Sequence, residues 1–252
     1  MNDHALARQL ADSAGEVLLG LRAEDPSLDP ADLRAEGDRR SQAHLADELA
    51  RFRPGDAVLS EEAKDDGVRI SASRVWIIDP LDGTREFGEI PRDDWAVHVA
   101  LWEDGDLVAG AVARPAMGST LGTDAPPVPP TERGERVRLA VSRTRPPAFV
   151  SRLAEKLDAE LVPMGSAGVK ATAVLDGTVD AYVHAGGQYE WDSAAPVAVA
   201  RAAGLHTSRI DGSPLVYNGV DPYLPDLVIC HQDLADLLLT AIRDLTLEGD
   251  PQ

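Results

Sequence analysis

Three features of this 252-residue sequence point to an α/β fold. Helical and extended patterns alternate through its second half, residues 75–78 are apolar without interruption, and apolar runs flank Asp104-Gly105. Alternating helix and strand means sheets covered by helices. An unbroken apolar strand has both faces covered, and Asp-Gly between extended runs marks a hairpin.

Leu6, Leu10, Val17, Leu18 and Leu21 recur at helical spacing, which predicts a helix over 5–22. Residues 27–38, with proline and acidic turn formers, read as a loop. A second helix is expected from near Asp38 to Phe52, with Leu45, Leu49 and Phe52 inward and Pro54-Gly55 ending it. A short strand at 57–60 delivers Glu61-Glu62, and a strand at 74–79 delivers Asp79. The runs 95–102 and 107–113 form the hairpin. Pro126, Pro127, Pro129 and Pro130 exclude a central strand or helix interior, so 117–134 is expected to be a loop or hinge between two lobes. Beyond it the reading is strand 136–142, helix 146–158, strand 160–164, helix 166–175, strand 179–185, helix 192–203, strand 226–231 and helix 234–245. This gives an N-terminal lobe of about 1–116 and a C-terminal lobe of about 135–252.

Charge narrows the function. Lys plus Arg number 24 against 43 Asp plus Glu, a net charge of -19. So acidic a chain has no basic face for a nucleic-acid backbone or an anionic membrane. At 44% hydrophobic residues it is not an acidic disordered tail. No apolar run approaches the roughly 18 residues of a membrane span, and the first residues lack a secretory pattern. The single cysteine, Cys230, reads as a buried strand thiol, and the absence of a cysteine pair fits a cytoplasmic setting. The six histidines never reach HxxxH spacing, so no histidine zinc site is expected.

The informative segment is Ile78-Asp79-Pro80-Leu81-Asp82-Gly83-Thr84. An apolar strand ends in two acids separated by a stiff Pro-Leu, and Gly83 permits close approach of a ligand. Two carboxylates and the Leu81 carbonyl at one strand end suit a hard cation such as Mg²⁺. Glu61-Glu62 ends another strand, although by itself it also reads as a solvated acidic loop. Asp192 opens a small-residue helix, where an N-cap role would equally explain it. Gly165-Ser166 precedes a helix whose N-terminal amides could take phosphate. Together, acids at three strand or helix ends suit metal-assisted phosphate-ester hydrolysis, and bound cations would reverse the local sign for an anionic substrate.

These motifs resemble the inositol monophosphatase superfamily of lithium-sensitive, Mg²⁺-dependent phosphatases. Trp76-Ile77-Ile78-Asp79-Pro80-Leu81-Asp82-Gly83-Thr84 resembles its first signature, Trp191-Asp192-Ser193-Ala194-Ala195 its second, and Ser60-Glu61-Glu62 its acidic pair. The resemblance covers nearly the whole chain and implies a layered αβαβα, sugar-phosphatase-like fold. Glu190 before Trp-Asp, the turn at Asp211-Gly212-Ser213-Pro214-Leu215, the following Tyr217, and Arg85-Glu86-Phe87 are most similar to the CysQ-type 3'(2'),5'-bisphosphate nucleotidase branch.

The resemblance implies two or three Mg²⁺ held by Glu61, Asp79, the Leu81 carbonyl, Asp82 and Asp192, with Glu61 also orienting a metal-activated water. Thr84, with Asp38, would help deprotonate that water. The Gly83 and Thr84 amides would grip the scissile phosphate. Asp38 sits in Glu36-Gly37-Asp38, which departs from the family's pattern there. Gly165, Ser166 and Lys170 fall in the family's substrate segment, and Arg85 and Lys170 are candidates for a second phosphate. Tyr189 or Tyr217 could meet an adenine, although a half-buried structural tyrosine explains either. Pro196 is expected in the first turn of its helix. The implied reaction is hydrolysis of 3'-phosphoadenosine 5'-phosphate to AMP and phosphate, in sulfur assimilation. Inositol monophosphate or fructose 1,6-bisphosphate is the alternative substrate. A homodimer is expected from the same resemblance.

Overall fold

The computed structural model describes residues 1–24 and 28–247. Two helices come first, α1 (Asp3–Glu24) and α2 (Pro30–Phe52). Most of the expected loop at 27–38 is therefore helix, and Ser27, which opens it, lies outside the described residues. The helix starts early because Asp29 caps it, accepting from the Ala31 amide at 2.8 Å, and Pro30 occupies the first turn. These are start signals, which a reading of 27–38 as turn residues overlooked.

The first sheet follows: β1 (Ala57–Ser60), β2 (Arg74–Asp82), β3 (Ala96–Glu103), β4 (Asp106–Arg114) and β5 (Ser119–Gly122), in that spatial order. β1 and β2 are parallel and the other pairs antiparallel. A 3₁₀ turn (Val68–Ser71) precedes β2, and a short helix α3 (Thr84–Gly88) follows it. The stretch 117–134, expected as loop, begins with edge strand β5. Its prolines start only at 126, after the strand has ended.

The second sheet contains β6 (Arg138–Ser142), β7 (Glu160–Met164), β8 (Ala181–Tyr189), β9 (His206–Ser208) and β10 (Tyr223–Cys230), ordered β7-β6-β8-β10-β9. Helices α4 (Ala148–Leu157), α5 (Ala167–Leu175), α6 (Glu190–Ala202) and α7 (Ala235–Leu247) complete the chain.

Burial separates the layers. Trp76 and Ile78 of β2 join Leu6, Leu10 and Leu18 of α1 and Leu45 and Leu49 of α2 in one core. Val75 and Ile77, on the opposite face of β2, pack with Val169 and Val174 of α5, Val197 and Val199 of α6, and Leu227 and Ile229 of the second sheet. Val183, Val228 and Cys230 face the other way, onto Leu153 of α4 and Leu238 and Ile242 of α7. The order is thus helices, sheet, helices, sheet, helices: the expected αβαβα arrangement, with both faces of β2 covered. Gly110 permits the tight seam between β4 and α6, since a Cβ there would meet the Ala198 Cβ at 2.7 Å.

Candidate active site

β2 ends in an irregularity that builds the site. Asp79 pairs with His98 of β3, whereas Asp82 pairs with Ala96. Acids three positions apart on a regular strand would face opposite sides of the sheet, but their partners are two apart. One extra residue, at Pro80-Leu81, therefore brings both carboxylates to the same side. Pro80 cannot donate to the ladder, which makes this a natural place for the interruption. The Ser41 hydroxyl fastens the bulge from α2 by donating to the Pro80 carbonyl at 2.7 Å.

α6 supplies the third acid. It begins at Glu190, two residues earlier than expected, so Asp192 is a first-turn residue and not the N-cap. Its carboxylate accepts from the Tyr189 amide at 2.6 Å, a reciprocal capping contact that fixes its direction. The earlier start also places Pro196 in the second turn and not the first, leaving the Asp192 carbonyl without its intrahelical donor.

Carboxylate oxygens of Asp79, Asp82 and Asp192 lie within 4.8 Å of one another. Asp79 is 1% exposed. Its Oδ1 accepts from the Leu81 amide at 3.0 Å, and its Oδ2 is buried without a hydrogen-bond partner. Burial, then repulsion from Glu61, Asp82 and Asp192, raises the Asp79 carboxyl well above its ordinary value. Burial and the Asp82 charge push Asp192 up to about 6. Glu61 is solvent-exposed as a residue, yet surrounding protein desolvates its carboxylate. That desolvation, with Asp192, Asp82, Glu62 and Asp38, raises it to about 7. Asp38 on α2 is also raised to about 7, by burial and Glu62 against the nearby Arg34. Acids so crowded oppose one another's ionisation, and an orphaned carboxylate oxygen among them fits a divalent cation bound through oxygen.

Asp82 differs. Its Oδ1 accepts from the Ala167 amide at 3.0 Å, and its Oδ2 from the Gly168 amide at 2.6 Å and from the Ser166 hydroxyl. Burial works against its charge, but His98, Lys170 and Ser166 outweigh it and lower the carboxyl. The α5 amides expected to meet phosphate are therefore occupied by the protein's own acid. A carboxylate at a helix N-terminus satisfies the same donors and dipole that a phosphate would. The Gly165 amide is also engaged, donating to Asp94 at 2.6 Å. Lys170 donates to the Gly165 and Ser166 carbonyls at 3.2 and 2.7 Å.

Gly165, Ser166 and Lys170 nonetheless line a cleft of about 660 Å³, together with Asp82, Gly83, Thr84, Arg85 and Asp192. Gly83 takes a left-handed conformation at φ 81°. The Thr84 hydroxyl donates to the Leu81 carbonyl at 3.0 Å, so in this arrangement its proton is not directed at Asp38. Of the two tyrosines, Tyr217 is buried, with its hydroxyl 3.1 Å from that of Ser193, and cannot meet a ligand base. Tyr189 is 46% exposed on the cleft wall. It is stacked on Trp191 at 4.7 Å and 12°, with Tyr223 edge-on.

Two features escaped the sequence reading. His98 is a fully buried histidine on β3, whose only signal was a polar residue within an apolar strand. Arg69, 1% exposed, pairs with Asp65 at 2.9 Å and donates to Asn218 Oδ1 and the Gly219 carbonyl, both at 2.8 Å. Glu190 accepts from the amides of those same two residues at 2.7 and 2.8 Å. The segment after Glu61 and the start of α6 thus share one clamp. Glu190 was noticed only as a branch cue, and its role depends on a contact distant in sequence.

Comparison with known proteins agrees with this arrangement. The model of the inositol monophosphatase family matches residues 3–247. A Mycobacterium leprae protein named 3'-phosphoadenosine 5'-phosphate phosphatase is 52% identical, over 97% of this chain and 95% of its own. The Escherichia coli 3'(2'),5'-bisphosphate nucleotidase CysQ is 31% identical, over 86% of this chain and 94% of its own. A solved structure of CysQ from Bacteroides thetaiotaomicron superposes with a TM-score of 0.77 at 27% identity, covering 90% of this chain and 97% of the other.

Proposed function

Since this chain belongs to the inositol monophosphatase family, we propose that it removes the 3'-phosphate of 3'-phosphoadenosine 5'-phosphate, giving AMP and phosphate. Mg²⁺ is the cofactor in this reading, held by Glu61, Asp79, the Leu81 carbonyl, Asp82 and Asp192. The observation that carries it is the buried, unpartnered Asp79 Oδ2 in a group with Asp82 and Asp192. The M. leprae relative's substrate supports the choice of nucleotide, as does the exposed Tyr189 ring on the cleft wall.

Bound Mg²⁺ supplies Lewis-acid activation of water and neutralises phosphate charge. The chain's own residues do the rest. The Gly83 and Thr84 amides orient the scissile phosphate. Asp38, its carboxyl raised to about 7 by burial and Glu62, is suited to accept a proton near neutrality, while Glu61 would orient the attacking water as a ligand of the cation. Arg85, exposed at the cleft rim, draws in the second phosphate. Lys170 contributes charge from behind the α5 turn, where the two carbonyls hold its ammonium. From the family resemblance, the proposal extends to Li⁺ inhibition, a homodimer, a cytoplasmic location and disposal of a by-product of sulfate activation.

The test is a panel with Mg²⁺: adenosine 3',5'-bisphosphate, inositol 1-phosphate and fructose 1,6-bisphosphate. The highest kcat/KM is expected for the adenosine bisphosphate, and a better rate on either of the others would overturn the substrate assignment.

A further inference from the structure

His98 touches three of the elements that build the site. It is fully buried on β3, directly across from Asp79 in the ladder. Its Nδ1 lies 3.0 Å from the carbonyl oxygen of Trp191, the residue before Asp192. Its Nε2 lies 3.2 Å from Asp82 Oδ2, an ion-pair distance approached too obliquely for a well-aligned hydrogen bond. The same ring packs on Gly168 in the first turn of α5, where a Cβ would collide with Nε2. One imidazole thus spans the end of β2, the start of α5 and the start of α6. Neighbouring positions on β3 are apolar, and Val97, Val99 and Ala100 are all fully buried. A buried polar ring in that setting is costly unless its nitrogens are used, and here both face the acid-bearing motifs.

We infer that His98 is a positioning residue that holds Asp82 and the Trp191-Asp192 turn in one frame, and thereby sets the affinity of the acid cluster for a divalent cation. The inference rests on the reading that Asp79, Asp82 and Asp192 hold such a cation. Partners standing behind metal ligands fix ligand direction, and their loss commonly costs about 10–100-fold in metal affinity. Without His98, the two acids would be oriented by separate contacts, Asp82 by the α5 amides and the Ser166 hydroxyl and Asp192 by the Tyr189 amide.

The test uses Mn²⁺ as probe, titrated into metal-free full-length protein and followed by the electron paramagnetic resonance signal of the free ion. Wild type is compared with Asp79→Asn, His98→Leu, His98→Gln and His98→Asn. The Gln amide nitrogen falls near the position of Nε2 and can donate to Asp82, whereas the Asn amide nitrogen falls near Nδ1 and serves Trp191. His98→Leu is expected to weaken Mn²⁺ binding at least about tenfold, with His98→Gln recovering part of the loss and half-maximal activation moving to higher Mg²⁺ in step. If Asp79→Asn binds Mn²⁺ like wild type, the cation reading itself fails. If Asp79→Asn loses binding while His98→Leu stays within about twofold of wild type, the cation reading stands and the role of His98 is overturned. Should the leucine variant not fold, the amide pair decides. Mn²⁺ binding weakened by more than about twofold in at least one of the two, each of which keeps a single contact, supports the inference, and binding within about twofold of wild type in both overturns it.

Discussion

Asp79 and Asp82 are three residues apart in the chain, yet their carboxylates share one side of the sheet because their ladder partners, His98 and Ala96, are two apart. The bulge that achieves this also concentrates carboxylates in a buried place, where their ionisation is opposed by burial and by one another.

Asp79→Asn should separate function from stability. Loss of a carboxylate aimed at the cation should lower kcat/KM for phosphate release at least about a hundredfold. The metal-free variant should nonetheless melt higher than metal-free wild type, by about 2 kcal/mol or roughly 4–8 °C, because an uncompensated buried acid has been neutralised. Calorimetry in the presence of a chelator measures this, and a lower melting temperature would contradict the picture of a strained acid cluster.

Cation binding should stabilise the fold in proportion to its occupancy. At a Mg²⁺ concentration about 100 times Kd, linkage gives about 2.7 kcal/mol, a rise of roughly 5–10 °C in Tm. The rise should vanish on chelation and in Asp82→Asn. An equal rise in that variant would place the stabilising ion elsewhere.

Acid sensitivity should trace in part to Asp180, which is 1% exposed. Burial works against its charge, but the Arg138 side chain (2.9 and 3.1 Å) and the Arg138 amide (2.8 Å) hold its carboxyl below the ordinary range. A carboxylate depressed on folding stabilises fully above its unfolded pKa of about 4, and that stabilisation is lost as pH falls through the folded value. The Tm gap between wild type and Asp180→Asn should therefore be constant from about pH 5 to 8 and close below about pH 4. A gap that widened in acid would refute the assignment.

Recognition of the base should reside in Tyr189. Stacking of a base on an aromatic ring contributes about 1–3 kcal/mol. Tyr189→Ala should therefore lower the ratio of kcat/KM for adenosine 3',5'-bisphosphate to that for p-nitrophenyl phosphate by about tenfold or more. Tyr217→Phe, which removes only a buried hydroxyl, should leave the ratio within about twofold, and equal effects of the two would remove Tyr189 from the base site.

Much of this is legible in the sequence, because the signals are local. The apolar run of β2, the Asp-Gly turn before β4 and the clustered acids of 79–84 each lie within a few residues, and Cys230 is buried in its strand as its neighbours implied, its thiol pushed up to about 12 by burial. Misreadings arose where a local signal had two meanings. Asp29-Pro30 starts a helix as readily as it makes a turn, and Gly165-Ser166 before a helix receives Asp82 where a phosphate was expected. What stayed invisible was long-range. The contacts of His98 with Trp191 and of Arg69 with Asn218 join residues 93 and 149 positions apart, and no periodicity in one chain encodes such pairings.

Gly110 has a consequence beyond packing. It lies on β4, one strand removed from the His98 strand, and faces α6 at Ala195 and Ala198. The third acid rides on that helix, so the bare Cα of Gly110 acts as a gauge block for the site, setting how near Asp192 comes to the pair on β2. A side chain there would meet the Ala198 Cβ and the Ala195 carbonyl, so β4 and the helix that carries Asp192 would have to part. The spacing of the acid group thus depends in part on a residue outside the cleft lining.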